Sequence, residues 1–509
     1  MSIRIVSTPI VGSPLAGAAV RGEPSAWFAA RPRSDEEWKA RAEMARQSLV
    51  SADWLAALSP AFAASGAAAE RLARAAKSGF AVTAGQQPGL FGGPLYTWWK
   101  ALSAVALADR LEKTTGLPVV PIYWAATDDS DLAEASWTVV ATADGAERIE
   151  MHADASGGAS LAQVPLGDLS RQIERLAEAA GSASNPAVLE IVRRAYSPEK
   201  TVGGAFVELL RSILEPLGVA VLDAAHPCAR AAAFPILRRA LERADAIEDS
   251  LASRSRELKQ SGHSPQVKLV KGRTLVFAEQ GGRRDRISMR DAAENPDNWE
   301  PGSLGPNVLL RPIVETMILP TVAYVGGPAE IAYFAQVTAV SDALEVPAPL
   351  AVPRWSGVVI EPKIDRILER YGLTLEDFRD PHAVETRMAR ASVPEELRAQ
   401  LESLESAVAR SVDDLTGAPG ADLVSPAVLD GLRRDLSRRL ARLERRFSAS
   451  VKRRGNEALR DVAIARGALF PFGAPQERAL NLVPLLARYG DDLFSAVMME
   501  TRKHATTLA

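Results

Sequence analysis

The chain has 509 residues, a formal net charge of −3 and a single cysteine. This length is enough for two or more domains, and the charge argues against a general nucleic-acid binder. One cysteine excludes an internal disulfide framework, and the five scattered histidines lack zinc-ligand spacing, so we expect no metal centre. No apolar run is long enough for a membrane span and the first residues do not form a secretory signal, so we expect a cytoplasmic protein.

Alternating strands and helices are predicted from residue 80 onwards. Residues 1 to about 75 are Ala-rich and predict helices anchored by Trp38 and Trp54. Residues 80–83 then predict a buried strand, residues 95–111 a helix opened by Pro94, and residues 119–124 a second strand. Strand, helix and strand in this order indicate a parallel sheet.

Polar loops follow both of these strands. The first is Gly85-Gln86-Gln87-Pro88-Gly89 and the second is Asp128-Asp129-Ser130-Asp131. Neighbouring parallel strands end at the same edge of a sheet, where ligands of open α/β sheets bind, so we expect the two loops to form one site. Helix capping explains one or two of the carboxylates. The others can serve as a general base, hold an amine, or bind Mg²⁺ through a nucleotide phosphate.

Two insertions are expected in the sheet domain, at about residues 137–200 and 260–305. Between them, residues 202–214 predict an amphipathic helix, residues 218–223 a third strand, and residues 229–259 one long helix. The stretch 266–287 predicts a hairpin centred on Lys271-Gly272-Arg273. Residues 320–325 then predict a fourth strand.

The fourth strand leads into a turn that resembles an earlier one. Gly326-Gly327-Pro328 repeats the Gly92-Gly93-Pro94 pattern, and both precede a helix. Such turns allow close approach of a polar ligand to a helix N-terminus, although any α/β turn favours Gly and Pro. Arg311 and Arg354 stand beside prolines and are candidates for bidentate carboxylate or phosphate contacts. Lys100 is either a phosphate ligand or a surface lysine.

A different pattern occupies residues 381–470. Leucine and valine recur at steps of three and four in two segments separated by residues 416–426, which predicts an antiparallel coiled-coil hairpin. The seam residues are Leu397, Leu401, Leu404, Val408, Val412 and Leu415, then Leu432, Leu436, Leu440, Leu443, Phe447 and Val451. The second segment is basic and the first acidic, so pairing between them is favoured over nucleic-acid binding. Apolar residues left exposed on such a hairpin predict a homodimer, and residues 471–509 are expected to return to the core.

Several blocks in this chain resemble the bacillithiol cysteine-adding enzymes, a family known as BshC. They run in family order across nearly the whole chain. The blocks are Gly85-Gln86-Gln87-Pro88-Gly89-Leu90, Gly93-Pro94-Leu95-Tyr96 with Lys100, Val119 to Trp124, Asn307 to Pro312, Leu319 to Tyr324, Gly326 to Tyr333, Pro353-Arg354 and Pro475 to Arg478.

The resemblance implies a fold and a reaction. The fold is an α/β class Rossmann-like core, occupying residues 1–380 with N-terminal helices and the two insertions, followed by a coiled coil that pairs subunits. The reaction is condensation of cysteine with the amine of glucosaminyl malate, and we expect ATP or another nucleotide to activate the carboxylate. The expected catalytic residues are Asp128, Asp129, Asp131, Gln86 and Gln87. The expected substrate-binding residues are Gly85, Gly93, Tyr96, Lys100, Asn307, Arg311, Tyr324, Gly326, Gly327, Glu330, Tyr333 and Arg354.

Two positions depart from the family pattern. The family usually has Glu-Asp-His-Asp where this chain has Asp128-Asp129-Ser130-Asp131, and a histidine where this chain has Trp99. Neither Ser130 nor Trp99 can replace a histidine as a proton shuttle near neutral pH. Two alternatives therefore remain open: a divergent ligase acting on another amine or thiol, and a non-catalytic coiled-coil scaffold.

Overall fold

The computed structural model describes residues 3–23, 25–153, 158–182, 184–280, 282–294, 299–380, 383–384, 387–388, 395–452 and 456–509. The chain divides into two compact units. The first comprises Met1–Val140, Arg148–Ile360 and Gln476–Ala509, and the second comprises Ala141–Glu147 and Glu361–Pro475.

The described residues form both strands and helices. The strands are β1 (Arg4–Ser7), β2 (Phe80–Gln86), β3 (Val119–Ala125), β4 (Trp137–Thr142), β5 (Gly145–Glu150), β6 (Ala220–Asp223), β7 (Arg273–Gln280), β8 (Arg283–Ser288), β9 (Leu304–Pro306), β10 (Thr321–Gly326), β11 (Ala351–Pro353) and β12 (Gly357–Ile360). The helices are α1 (Pro14–Val20), α2 (Asp35–Gln47), α3 (Trp54–Phe62), α4 (Gly66–Ser78), α5 (Leu95–Thr115), α6 (Leu132–Ala135), α7 (Ser170–Ala180), α8 (Pro186–Ala195), α9 (Val202–Leu214), α10 (Pro227–Glu242), α11 (Ala244–Gln260), α12 (Met289–Glu294), α13 (Arg311–Ile318), α14 (Pro328–Leu344), α15 (Pro362–Tyr371), α16 (Glu395–Gly417), α17 (Pro426–Lys452), α18 (Asn456–Leu469), α19 (Gln476–Ala479), α20 (Val483–Tyr489) and α21 (Asp491–Ala505).

A five-stranded parallel sheet forms the centre of the first unit, in the order β11-β10-β2-β3-β6. The four strands predicted from the sequence are confirmed as members of it. Every residue of β3 is buried, as expected for a strand covered on both faces. Gln86 is in register with Ala125, and Gly326 with Pro353. Strand ends β11, β10, β2 and β3 therefore meet at one edge of the sheet.

Two predicted elements were wrong in detail. The expected helix over 229–259 is two helices, because Arg243 leaves the helical region at φ −109° and ψ 23°. No Gly or Pro marks this break in the sequence. The hairpin was expected to turn at Lys271-Gly272-Arg273, but Arg273 begins β7 and the turn follows Gln280. Strand β9 extends this hairpin to three antiparallel strands.

The second unit contains the two long helices α16 and α17, which contact each other. Val412 is buried between them, and Leu436 and Leu440 are half-buried. Four other predicted seam residues are exposed by 37–52%: Leu404, Leu415, Leu432 and Leu443. Asp413 of the acidic helix pairs with Arg433 of the basic helix. The side chain of Val451, also predicted in the seam, lies outside the described residues. Within the described ranges, no helix is both long and apolar enough to cross a membrane.

Candidate functional site

A cavity of about 530 Å³ lies at the edge where strands β2, β3 and β10 end. Thirteen residues expected to form the site line it: Gly85, Gln86, Gln87, Tyr96, Lys100, Asp128, Asp129, Asn307, Arg311, Gly327, Glu330, Tyr333 and Arg354. The two polar loops identified in the sequence therefore face one cavity, because their strands are parallel neighbours.

Lys100 is buried, and its ammonium is bound by protein groups, so it is neither a surface lysine nor available to bind a phosphate. Its side chain is 2% exposed, and its ammonium donates to Gly85 O at 2.9 Å and Gln86 Oε1 at 2.7 Å. The third partner is a carboxylate oxygen of Glu330 at 2.5 Å. These contacts use all three N–H donors of the ammonium. Burial lowers the pKa of Lys100, and the carboxylate of Glu330 opposes that effect.

Glu330 lies in the first turn of α14, where the helix dipole favours a carboxylate. It accepts hydrogen bonds from the backbone N–H of Gly327 at 2.8 Å and from the hydroxyl of Tyr324 at 2.5 Å. Burial alone would raise the pKa of Glu330, but the charge of Lys100 and these hydrogen bonds hold that pKa below its ordinary value. The carboxylate is therefore ionised and fully engaged by the protein.

Arg311 is bound inside the protein by a second set of partners. It donates to Glu315 at 2.8 Å and to the hydroxyls of Tyr324 and Tyr333, each at 3.2 Å. Glu315 is 1% exposed, and this burial raises its pKa to about 6 despite the charge of Arg311. Arg311 thus links Glu315 to the Tyr324–Glu330 pair.

Arg354 is also held by a protein carboxylate. It forms a two-pronged contact with Glu477, at 2.7 and 2.6 Å, and Ser356 donates to the same carboxylate at 3.0 Å. Gln476 exchanges two 2.8 Å hydrogen bonds with the backbone of Val359. The C-terminal segment of the chain therefore supports this wall of the cavity.

The three aspartates expected in the site, Asp128, Asp129 and Asp131, lie in different environments. Asp128 lies 3.3 Å from Arg284, whereas Asp129 lines the cavity and accepts the backbone N–H of Asp131 at 3.0 Å. Asp131 is exposed and does not line the cavity, and its carboxylate caps α6 by accepting the N–H of Glu134. Helix capping accounts for Asp131, which leaves Asp128 and Asp129 facing the cavity.

Three further expected residues, Tyr324, Gly326 and Gly93, do not line the cavity. Tyr324 is 1% exposed and bridges Arg311 to Glu330. Gly326 ends β10, and its carbonyl accepts the N–H of Arg354 at 2.9 Å. Gly93 has φ +70°, which glycine adopts without strain, and its carbonyl accepts from Asn481 at 3.3 Å. These residues shape the loops rather than the cavity surface. Asn307 does line the cavity, and its Oδ1 accepts the N–H groups of Leu309 and Leu310.

Several lining residues were not expected from the sequence. Phe277, Arg284 and Arg286 come from the three-stranded insertion, and Arg478 from the C-terminal segment. The guanidinium of Arg284 lies 4.4 Å from the ring centre of Phe277 and that of Arg286 5.1 Å. Burial, with the charges of Arg284 and Arg273, lowers the pKa of Arg286. The basic alternation Arg284-Asp285-Arg286 was a usable signal, because alternate residues of a strand share a face.

The two positions that depart from the family pattern have different surroundings. Ser130 lines the cavity. Trp99 is fully buried and packs edge-on against Trp355, with ring centres 5.6 Å apart. Only Ser130 can therefore affect a bound ligand directly. Among the described residues, no group of His, Cys, Asp and Glu is arranged to hold a metal ion, and no histidine lines the cavity.

The fold and the cavity define a Rossmann-like α/β protein with a ligand site at the carboxyl edge of its sheet and an attached coiled coil. The comparisons with known proteins agree. Residues 20–355 match the family model described as "Bacillithiol biosynthesis BshC, N-terminal Rossmann-like domain". Residues 357–507 match "Bacillithiol biosynthesis BshC, C-terminal coiled-coil domain". The chain belongs to the BshC family, which confirms the resemblance and the fold class expected from the sequence.

Curated relatives match most of the chain. A protein of Solibacter usitatus is 34% identical over 85% of this chain and 85% of its own length. Proteins of Koribacter versatilis and Salinibacter ruber are 32% and 31% identical, over 84% and 83% of this chain and 82% of each relative. All three are named "Putative cysteine ligase BshC".

Proposed function

We propose that this protein joins the carboxylate of cysteine to the amine of glucosaminyl malate, forming an amide in bacillithiol biosynthesis. Membership of the BshC family supports the reaction. The observation that carries it for this chain is that one cavity contains carboxylates, side-chain amides and arginines together. These are the groups that an amine, an acyl group and an anionic substrate require.

A free carboxylate must be activated before an amine can displace one of its oxygens. A nucleoside triphosphate such as ATP supplies this activation by forming an acyl phosphate or acyl adenylate. The anionic parts of both substrates are proposed to bind Arg286 and Arg478, because Arg311 and Arg354 already bind Glu315 and Glu477. Arginine suits this role because its planar fork matches carboxylate and phosphate groups.

Asp129 is the proposed acceptor of the amine proton. Asp128 is partly neutralised by Arg284, whereas Asp129 lines the cavity and forms no ion pair with any described residue. A carboxylate within hydrogen-bond reach can take the proton released as the amine attacks.

The test incubates the purified protein with glucosaminyl malate, cysteine and ATP and measures bacillithiol by mass spectrometry. Asp129→Asn is expected to lower the rate at least about 100-fold, within the range for general bases. Asp285→Asn is the matched control, since Asp285 is exposed and pairs only at the surface. Absence of product with every nucleoside triphosphate, while a BshC relative makes it under the same conditions, would rule the proposal out.

A second candidate is ligation of cysteine to a different amine, or of a different thiol acid. The presence of Ser130 in the cavity wall favours it. Serine is smaller than the histidine usual in the family and cannot exchange a proton near neutral pH, so both the space and the available proton acceptors in the cavity differ. Assaying a panel of amino-sugar conjugates under the same conditions distinguishes the two. A substrate used at least tenfold better than glucosaminyl malate would establish the second candidate.

A further inference from the structure

The hydrogen bonds of the two glutamines in the first loop fix the direction in which their amide groups point. The ammonium of Lys100 can only donate, so the Gln86 atom 2.7 Å from it is the oxygen. The amide nitrogen of Gln86 therefore points the other way. It lies 3.1 Å from Gln87 and 3.4 Å from the hydroxyl of Tyr96.

The same reasoning extends to the neighbours of Gln86. Its amide nitrogen donates, so the Gln87 atom that it contacts is Oε1 and the Tyr96 oxygen acts as an acceptor. Gln87 Nε2 and the hydroxyl proton of Tyr96 are left to donate elsewhere. Within the described part of the chain, neither has a protein acceptor, and both residues line the cavity. The two side chains that carry these donors, Gln87 and Tyr96, therefore both accept a hydrogen bond from one atom, Gln86 Nε2. The orientation of that atom is set by Lys100, which in turn pairs with Glu330.

We propose that Gln87 Nε2 and the Tyr96 hydroxyl form a two-donor site for the acyl oxygen of the activated carboxylate. Lys100 and Glu330 are positioning residues: they orient the Gln86 amide, so that Gln87 and Tyr96 accept from it and donate into the cavity. This inference rests on the proposed function, because it assigns the acyl group of that reaction to one side of the cavity. The Lys100–Glu330 pair is buried and complete. Reversing the Gln86 amide would place its NH₂ group against the ammonium, which would cost at least one hydrogen bond.

The step that this site assists is attack of the amine nitrogen on the acyl carbon. A carbon–nitrogen bond forms as the electron pair of the C=O double bond moves onto oxygen. The resulting oxyanion accepts hydrogen bonds from Gln87 and Tyr96, which stabilise the developing charge. When the double bond re-forms, phosphate or nucleoside monophosphate leaves with its electron pair, and the amine proton passes to a carboxylate. Burial raises the pKa of Tyr96, so its hydroxyl keeps the proton it donates.

The decisive variant is Gln87→Glu, which replaces the donating NH₂ with an oxygen at nearly constant shape. It is measured with two ligands by calorimetry: glucosaminyl malate, which carries the free amine, and its N-acetylated form, whose acetyl oxygen mimics the acyl oxygen. The N-acetylated form is expected to bind at least tenfold more weakly to Gln87→Glu than to the wild type. The amine form is expected to bind equally well or more tightly, because a carboxylate attracts an ammonium group. Equal weakening of both ligands, or no weakening of the N-acetylated form, overturns the proposal.

Turnover provides the second readout. The kcat of Gln87→Glu is expected to fall about 100-fold or more, as for removal of other oxyanion donors, and that of Tyr96→Phe about tenfold, with thermal midpoints unchanged. Gln260→Glu is the control, since Gln260 is exposed at the end of α11. If the wild type forms no bacillithiol while Gln87→Glu still loses affinity for the N-acetylated ligand alone, only the proposed ligase function would be rejected. If the wild type forms bacillithiol but Gln87→Glu keeps its affinity for the N-acetylated ligand, only the donor site would be rejected.

The positioning role of Lys100 has its own test. Lys100→Gln should weaken the N-acetylated ligand more than the amine ligand, because Gln86 is then free to reverse its amide. A loss that is equal for both ligands would indicate a structural role alone and would remove Lys100 from the proposal.

Discussion

The ammonium nitrogen of Lys100 lies 2.5 Å from a carboxylate oxygen of Glu330, and 2% of the lysine side chain is exposed. Lys100 belongs to α5 and Glu330 to α14, the two helices that begin next to the Gly-Gly-Pro turns. The repeated turn seen in the sequence therefore has a structural meaning. It brings two helix starts together so that one ion pair joins them in the wall of the cavity.

Lys100→Met is expected to destabilise the protein by about 3–5 kcal/mol, because it leaves the carboxylate of Glu330 without its counter-charge. Urea unfolding measures the loss. Lys503→Met is the matched control: Lys503 also lies 2.6 Å from a glutamate, Glu500, but is 66% exposed, so its loss should cost less than about 1 kcal/mol. Similar losses in the two variants would show that the burial of Lys100 adds nothing to its ion pair.

Glu315 is expected to make stability depend on pH between about 4.5 and 6. Its pKa is raised to about 6 from the ordinary value of 4.5, mainly by burial. The folded state therefore binds this proton more tightly than the unfolded state does. The contribution of Glu315 to stability is largest below pH 4.5 and is lost as the pH rises through 6. For a shift of this size the change is about 2 kcal/mol.

The comparison of wild type with Glu315→Gln isolates this effect. Gln cannot titrate, so the difference between the two unfolding free energies should change with pH only within that window. Carboxyl groups that do not interact with Glu315 remain unchanged in both proteins, so their contributions to the pH dependence cancel. A difference that is constant from pH 4 to 7 would contradict the raised pKa of Glu315.

Ser130→His is expected to raise the rate of bacillithiol formation, with a new dependence on pH near 6.5, if the change at this position is drift within an unchanged reaction. The reason is that position 130 lines the cavity. Trp99→His should instead destabilise the protein by about 3–5 kcal/mol without raising the rate, because Trp99 packs in the core against Trp355. No gain from Ser130→His would favour the second candidate substrate.

The sequence identified the sheet and much of the cavity because both follow from local pattern. Continuous apolar runs marked the buried strands, and the loops containing Gln86 and Asp129 stood directly after them. The partners of the arginines could not be found in this way. Glu477 meets Arg354 across 123 residues of chain, and no local rule encodes a contact of that separation.

The contribution of the second insertion to the cavity could not be predicted from local sequence pattern either. Arg284 and Arg286 reach the cavity because the hairpin turns after Gln280 rather than near Gly272. A different turn position changes which residues form the second strand and which of them face the cavity. The sequence pattern around Lys100 could not show its partners either. Gly85, Gln86 and Glu330 reach its ammonium only through the packing of its helix, and together they bind all three N–H groups.

The exposed leucines of α16 and α17 lead to a prediction about assembly. Leu404 and Leu415 are eleven residues apart, as are Leu432 and Leu443, so each pair lies on one face of its helix. All four are at least 37% exposed, although their sequence pattern is that of a coiled-coil seam. A second copy of the chain would bury them. We therefore expect light scattering at micromolar concentration to give twice the 54.4 kDa mass of one chain.

The double variant Leu432→Glu and Leu443→Glu should convert this dimer to a monomer, because it would bury two unpaired charges in the interface. Its far-ultraviolet circular dichroism should stay unchanged, since the hairpin's own seam uses Leu436 and Leu440. Ser437→Glu is the control, because Ser437 is an exposed polar residue of the same helix. A wild-type mass of 54.4 kDa would contradict the dimer directly. A double variant that remained dimeric would exclude the exposed leucines of α17 from the contact, because two glutamates cannot be buried there without a large loss of affinity.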